Sequence, residues 1–126
     1  MSTRYEDLFR SLHNRGEGAF VPFLMLGDPT PEYTLAIVRT VVAAGADALE
    51  LGVPFSDPVA DGPTIQASHL RALDGGATVE SALEQVRTIR AEFPELPIGM
   101  LIYGNVPFAM GLERFYSECA QAGIDS

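Results

Sequence analysis

Apolar and polar positions recur along this chain with two different periods, and the switches between them lay out its elements. Tyr5, Leu8, Phe9 and Leu12 fall at helical spacing behind Thr3 and Glu6, which predicts a capping box and a short leading helix that ends at Gly16. Residues 19–26 (AFVPFLML) are almost continuously apolar and predict a strand covered on both faces, with Pro22 where no ladder N–H is needed. Thr30 followed by Pro31 opens a helix striped by Leu35, Ile37, Val38, Val41 and Val42 and closed by Gly45. Residues 48–53 (ALELGV) predict the second strand, and residues 54–63 (PFSDPVADGP) are too rich in Pro, Gly and Asp to be anything but a loop.

Residues 64–73 predict a helix stopped by Gly75 and Gly76. Thr78 caps another, whose Val79, Ala82, Leu83, Val86 and Ile89 form one face. Residues 97–103 (PIGMLIY) predict the third strand, 104–111 a loop, and 112–122 a helix ended by Gly123. Strands alternating with helices specify parallel βαβ units with right-handed crossovers, and this periodicity alone fits either a barrel or an open doubly wound sheet. Residues 44–48 (AGADA) lead into the second strand and are echoed by residues 122–126 (AGIDS), so a fourth strand is expected to start at the end of the sequence. Three strands with bare edges expose ladder groups and an apolar face. Residues 1–126 therefore read as one domain, truncated or a half that must pair.

The 126 residues are 47% hydrophobic, with room for a core and no signature of disorder. A net charge of −9, with eight scattered basic residues against 17 acidic ones, argues against nucleic acid and anionic membranes as partners. No apolar run suits a membrane span or a signal segment, so a cytoplasmic location is expected. One cysteine, Cys119, allows no disulfide framework and reads as a buried, inert thiol. No glycine-rich phosphate loop or metal-ligand spacing is present, and His13 and His69, both on helical stretches, read as surface or packing residues.

The chemistry concentrates on two acids. Alternation in ALELGV sends Leu49 and Leu51 toward the helices and leaves Ala48, Glu50 and Gly52 on the other face. Burial of Glu50 in an apolar strand would favour its protonated form and suit it to proton transfer; a structural ion pair with an Arg is the alternative. Asp61 lies in the loop leaving the C-terminal end of that strand, where barrel enzymes place catalytic groups, so the two carboxylates are expected to meet in one cleft. For Asp61 the alternative is turn chemistry with Gly62, and Asp57, before Pro58, is equally a turn initiator. Phe23, Leu101 and Tyr103 make an apolar cup for a flat aromatic ligand if they share the face of Glu50, and plain core packing if they do not.

The segments FVPF at 20–23, LGDP at 26–29, AGADALELGVPFSDPVADGPTIQ at 44–66 and PIGMLIYGN at 97–105 resemble the tryptophan synthase α chain, over essentially all of this sequence and about half of the family's length. The resemblance implies the N-terminal half of a TIM (β/α)8 barrel: the first three βα units and the start of strand four. It implies a lyase that cleaves indole-3-glycerol phosphate to indole and glyceraldehyde 3-phosphate, with no cofactor in this subunit. A pyridoxal-phosphate β subunit, in an α2β2 assembly, then joins indole to serine.

By the same resemblance Glu50 is the general acid/base, Asp61 holds the indole N–H, and Phe23, Leu101 and Tyr103 line the indole pocket. Pro54, Asp57, Pro58, Asn105 and Phe108 take positions at the β-subunit interface. Met25 stands where many members carry Thr, and Gly104 is small at a variable rim position, so substrate fit is expected to differ. The family's second half supplies the phosphate-binding amides and a lid, and without it the fragment is expected to be inactive. A different outcome is a non-catalytic half-barrel that self-associates or binds a β-type partner.

Overall fold

A computed structural model describes residues 1–126. Helix α1 (Arg4–Arg15) begins in the capping box: Thr3 Oγ1 accepts the Glu6 N–H at 3.2 Å and Glu6 Oε2 accepts the Thr3 N–H at 2.7 Å. It ends at Gly16, whose left-handed φ of 68° few other residues tolerate. Strands β1 (Phe23–Met25), β2 (Leu49–Gly52) and β3 (Ile98–Leu101) form one parallel sheet in that order. Helix α2 (Thr34–Ala43) joins the first pair of strands, and α3 (Pro63–Asp74) and α4 (Val79–Glu92) the second. After β3 come α5 (Asn105–Met110) and α6 (Leu112–Ala122).

One face of this sheet carries the core. Leu24 pairs with Leu51 and Leu51 with Met100, while Leu49 pairs with Ile98, so these five side chains share a face. They pack on Val38 of α2, Ala82, Leu83, Val86 and Ile89 of α4, and Phe115, Cys119 and Ala122 of α6. Each fully buried Leu or Ile contributes about 1.5–3 kcal/mol relative to exposure. The Cys119 thiol is buried there, and burial pushes its pKa up, which suits the inert role read from the sequence.

The N-terminal foot of the sheet is held by charge. Asp125 takes Arg4 on Oδ1 at 2.7 Å and Arg90 on Oδ2 at 2.8 Å. Arg90 also donates to the carbonyls of Phe93, Pro94, Leu96 and Gly123. Beside the far edge of β3, the Asp125 N–H donates to Ile98 O and the Met100 N–H to Ser126 O, both at 2.8 Å. Residues 125 and 126 thus lie in a fourth parallel position, where the AGIDS echo places a strand.

Several expectations are corrected. The first strand is regular only over Phe23–Met25; the Pro22 carbonyl still accepts the Glu50 N–H of β2 and the Phe20 carbonyl accepts the Asp47 N–H just before it, but Phe20 and Val21 are exposed. Coverage of that strand on both faces is only partial: on the second face Met25 packs on Ala72 and Ala77, while Phe20 and Val21 stay open. The other two strands are shorter than their apolar runs, because Val53 and Ile102 continue the apolar pattern into the irregular segments that follow them. Thr30 caps no backbone group; a 3-10 turn at Pro31–Tyr33 precedes α2 instead. The loop at 104–111 contains α5, a six-residue helix that tolerates Pro107 in its first turn, where the missing N–H has no helical partner. No helix is long and apolar enough to cross a membrane.

Candidate functional site

The strand register decides which side chains meet on the second face of the sheet, away from the main core. Phe23 pairs with Glu50 and Glu50 with Gly99; one step higher, Met25 pairs with Gly52 and Gly52 with Leu101. Phe23, Glu50 and Leu101 therefore share a face, and a cavity of about 320 Å³ opens at its C-terminal end, with Phe23, Leu101, Tyr103, Asp61 and His69 in its wall. That size fits a small flat ligand. Its floor depends on Gly52: a Cβ there would lie 2.7 Å from Phe23 Cζ and 3.1 Å from Met25 Cε.

Asp61 reaches the cavity because the loop after β2 folds back on helix α3. The Asp61 N–H donates to Pro58 O at 3.1 Å, and Gln66 Nε2 donates to Asp61 O at 2.8 Å. Its carboxylate is not spent on the turn or on capping α3, whose N-cap is Gly62. Instead Oδ2 accepts the Tyr103 hydroxyl at 2.8 Å and pairs with His69 Nε2 at 3.1 Å, while Oδ1 takes no hydrogen bond from the chain. The Ala60 N–H donates to the Tyr103 oxygen at 3.1 Å, and the Tyr103 ring stacks on Phe55 with centroids 5.2 Å apart. Desolvation first, and donation to Asp61 next, push the Tyr103 phenol above its usual pKa, which keeps it a donor.

His69 is missed by the sequence reading, which gives it a surface or packing role. It is 3% exposed, its Nδ1 accepts the Phe55 N–H at 2.9 Å, and its Nε2 faces Asp61. A signal was present: His69 follows Asp61 by eight residues and lies with Ser68 and Ala72 on the buried stripe of α3.

Glu50 needs a second correction. It is exposed rather than buried in an apolar strand, because no further strand stands across from it; the Tyr5 and Ser126 hydroxyls come up only against Gly99 beside it. Nor does it line the cavity with Asp61; it sits below Gly52 by two residues, roughly 7 Å along the strand. No Arg is paired with it, so the ion-pair alternative is absent too.

Of the residues expected at an interface, Asp57, Asn105 and Phe108 are exposed, Phe108 at 82%, whereas Pro54 and Pro58 are buried within the loop. Asp57 retains turn chemistry: its Oδ2 accepts the Ser56 hydroxyl at 2.6 Å and its carbonyl accepts the Val59 N–H at 2.8 Å. Val59, beside it, is 85% exposed.

The family model described as "Tryptophan synthase alpha chain" matches residues 9–126. A tryptophan synthase alpha chain of Corynebacterium aurimucosum is 76% identical over 124 residues, and that of Corynebacterium diphtheriae is 75% identical. Each match covers 98% of this chain and 45% of the relative, so the chain spans a little under half the length of these relatives. Among solved structures, a tryptophan synthase subunit alpha from Legionella pneumophila superposes with a TM-score of 0.95 at 34% identity, over 99% of this chain and 48% of that one. A tryptophan synthase from Mycobacterium tuberculosis in an aminoacrylate-bound form gives 0.89 at 31% identity, over 98% and 49%. The leading helix and parallel βα units are the N-terminal half of a (β/α)8 barrel, and the chain belongs to the tryptophan synthase alpha chain family.

Proposed function

We propose that this chain forms the first half of a cytoplasmic lyase subunit of L-tryptophan biosynthesis that cleaves indole-3-glycerol phosphate to indole and glyceraldehyde 3-phosphate. One observation carries the reading: Asp61 presents a free Oδ1 at a cavity walled by Phe23, Leu101 and Tyr103, with Glu50 on the same sheet face. Such a wall fits an indole ring, and such an oxygen fits its N–H.

The chemistry is a retro-aldol cleavage. Glu50 gives a proton to the indole carbon bearing the side chain, and positive charge builds on the ring. Asp61 accepts the ring N–H and stabilises that charge. The carboxylate left on Glu50 takes the proton of the adjacent side-chain hydroxyl, whose oxygen becomes the aldehyde carbonyl. The carbon–carbon bond breaks with its electron pair returning to the ring. These steps are proton transfers that call for no cofactor in this subunit. The exposure of Glu50 belongs to a half-barrel; strands closing the other side would shield it and strengthen every electrostatic contact inside.

The β subunit, which carries pyridoxal phosphate, is the proposed partner in an α2β2 assembly. Asp57 on the loop after β2, and Asn105 and Phe108 on α5, are exposed at the cavity end of the strands and would meet it, with Pro54 and Pro58 stiffening the loop from within. A solved relative from Pyrococcus furiosus is described as a tryptophan synthase complex, in keeping with a partner.

The test is an assay of the purified full-length subunit on indole-3-glycerol phosphate. Indole and glyceraldehyde 3-phosphate in equal amounts are expected, and absence of both would overturn the reading.

A second reading has its own observation: Phe20, Val21 and Leu101 are exposed along the sheet, Leu101 at 54%. For a chain of these 126 residues alone that surface favours a self-associating, non-catalytic half-barrel. Sedimentation across concentrations would show dimers; a stable monomer would exclude it.

A further inference from the structure

Two donors converge on one oxygen of Asp61, and only one of them, Tyr103, lies on the strand side of the cavity. The other is His69, on α3. Its ring is buried and meets Tyr103 edge-on with centroids 5.9 Å apart, so it has little room to rotate. Its tautomer follows from its neighbours. Nδ1 accepts the Phe55 N–H at 2.9 Å and so carries no proton; in the neutral ring the proton lies on Nε2, which donates to Asp61 Oδ2 at 3.1 Å.

We propose that His69 is a positioning residue for Asp61: a neutral imidazole, locked in its Nε2–H form by the Phe55 backbone, that holds Oδ2 and thereby aims Oδ1 at the ring N–H of the substrate. This rests on the function proposed above. A carboxylate on a glycine-bordered loop is free to rotate about its side-chain bonds. Two donors on the same oxygen stop that rotation and leave the second oxygen's lone pairs for the ligand. Because a misplacement of about 1 Å at a reacting group costs on the order of 100-fold in rate, the anchor matters although His69 touches no substrate atom.

The two nitrogens have different tasks, so conservative variants separate them. In His69→Gln the amide N–H can reach Asp61 while the contact to Phe55 is lost. In His69→Asn the amide oxygen can take the Phe55 N–H, but the shorter side chain falls short of Asp61. His69→Phe keeps the ring volume and loses both.

The experiment measures indole release by the full-length subunit with these variants, with Asp61→Asn, and with the His69→Phe/Asp61→Asn double variant. His69→Phe and His69→Asn are expected to lower kcat about 10- to 100-fold with KM changed less than about 3-fold, because the bond to the ring N–H strengthens as charge develops. His69→Gln is expected to recover to within about 5-fold of the parent, and the double variant to be no slower than Asp61→Asn alone. Full activity in His69→Phe, or losses that multiply in the double variant, would overturn the positioning role. If Asp61→Asn itself has full activity, the proposed function fails rather than the role of His69. A readout independent of turnover then decides: 15N NMR of the unmodified protein should show His69 as the Nε2–H tautomer, with its proton exchanging faster in Asp61→Asn. An Nδ1–H tautomer would reject the proposal even if the variants failed to fold.

Discussion

Phe23 lies across Gly52, with its ring tip where a β-carbon would be: a Cβ at residue 52 would sit 2.7 Å from Phe23 Cζ. The inward side of β2 is therefore a shelf on which an aromatic ring from β1 rests, and the cavity exists because residue 52 has no side chain. Gly52→Ala should push Phe23 and Met25 into the cavity, costing about 1–3 kcal/mol of stability as overpacking does, and should raise KM for indole-3-glycerol phosphate more than it lowers Tm would suggest. Urea denaturation and steady-state kinetics on the same variant check both parts; unchanged KM would show that the ring does not border the bound substrate.

Tyr103 gives a cleaner separation of ring from hydroxyl. Tyr103→Phe keeps the stacking on Phe55 and removes the donor to Asp61 Oδ2 together with the acceptor of the Ala60 N–H. A loss of about 10-fold in kcat is expected from one missing hydrogen bond to a charged acceptor. Equal rates in the two proteins would mean that His69 alone orients Asp61.

Asp28 makes part of the stability acid-sensitive. Arg71 donates to both its oxygens at 2.8 Å, and that hydrogen bonding, with help from Ser68, holds its carboxyl below the ordinary 3.8. A depressed pKa means that the folded chain binds fewer protons than the unfolded chain. The contribution is therefore full above the unfolded value and is lost as pH falls through the folded one. Urea midpoints should fall between neutral pH and about pH 3, and Asp28→Asn should be less stable at neutral pH with a shallower fall. An unchanged slope would remove Asp28 from the account.

Arg90 should be the most costly arginine to lose. It satisfies four carbonyls and Asp125, and its replacement by Met leaves those acceptors and a carboxylate without their donor. A destabilisation of about 3 kcal/mol is expected, and Lys should not rescue it, since one ammonium cannot reproduce the planar fork. Denaturant unfolding of both variants checks this.

Local signals carried much of the fold. The capping pair Thr3 and Glu6, the stop at Gly16, the stripe on α4 and the alternation in ALELGV are decided by neighbours within one or two turns, and all are found in place. Element lengths were less legible because apolar residues such as Val53 and Ile102 pack in the irregular segments after strands as well as in strands. The exposure of Glu50 was not legible, since it depends on what stands across the sheet rather than on its neighbours along the strand. His69 shows another limit: its partners, Asp61 and Phe55, meet it only when a loop folds back onto a helix. Helical phase marks such a residue as buried but says nothing of what it bonds to.

The most direct test of the central claim is the turnover of Glu50→Gln in the full-length subunit on indole-3-glycerol phosphate. The substitution keeps shape and removes the proton-transfer group, so kcat should fall by about 10²- to 10⁴-fold with the fold intact. Turnover near that of the parent would contradict the assignment of Glu50, and with it the proposed route of cleavage.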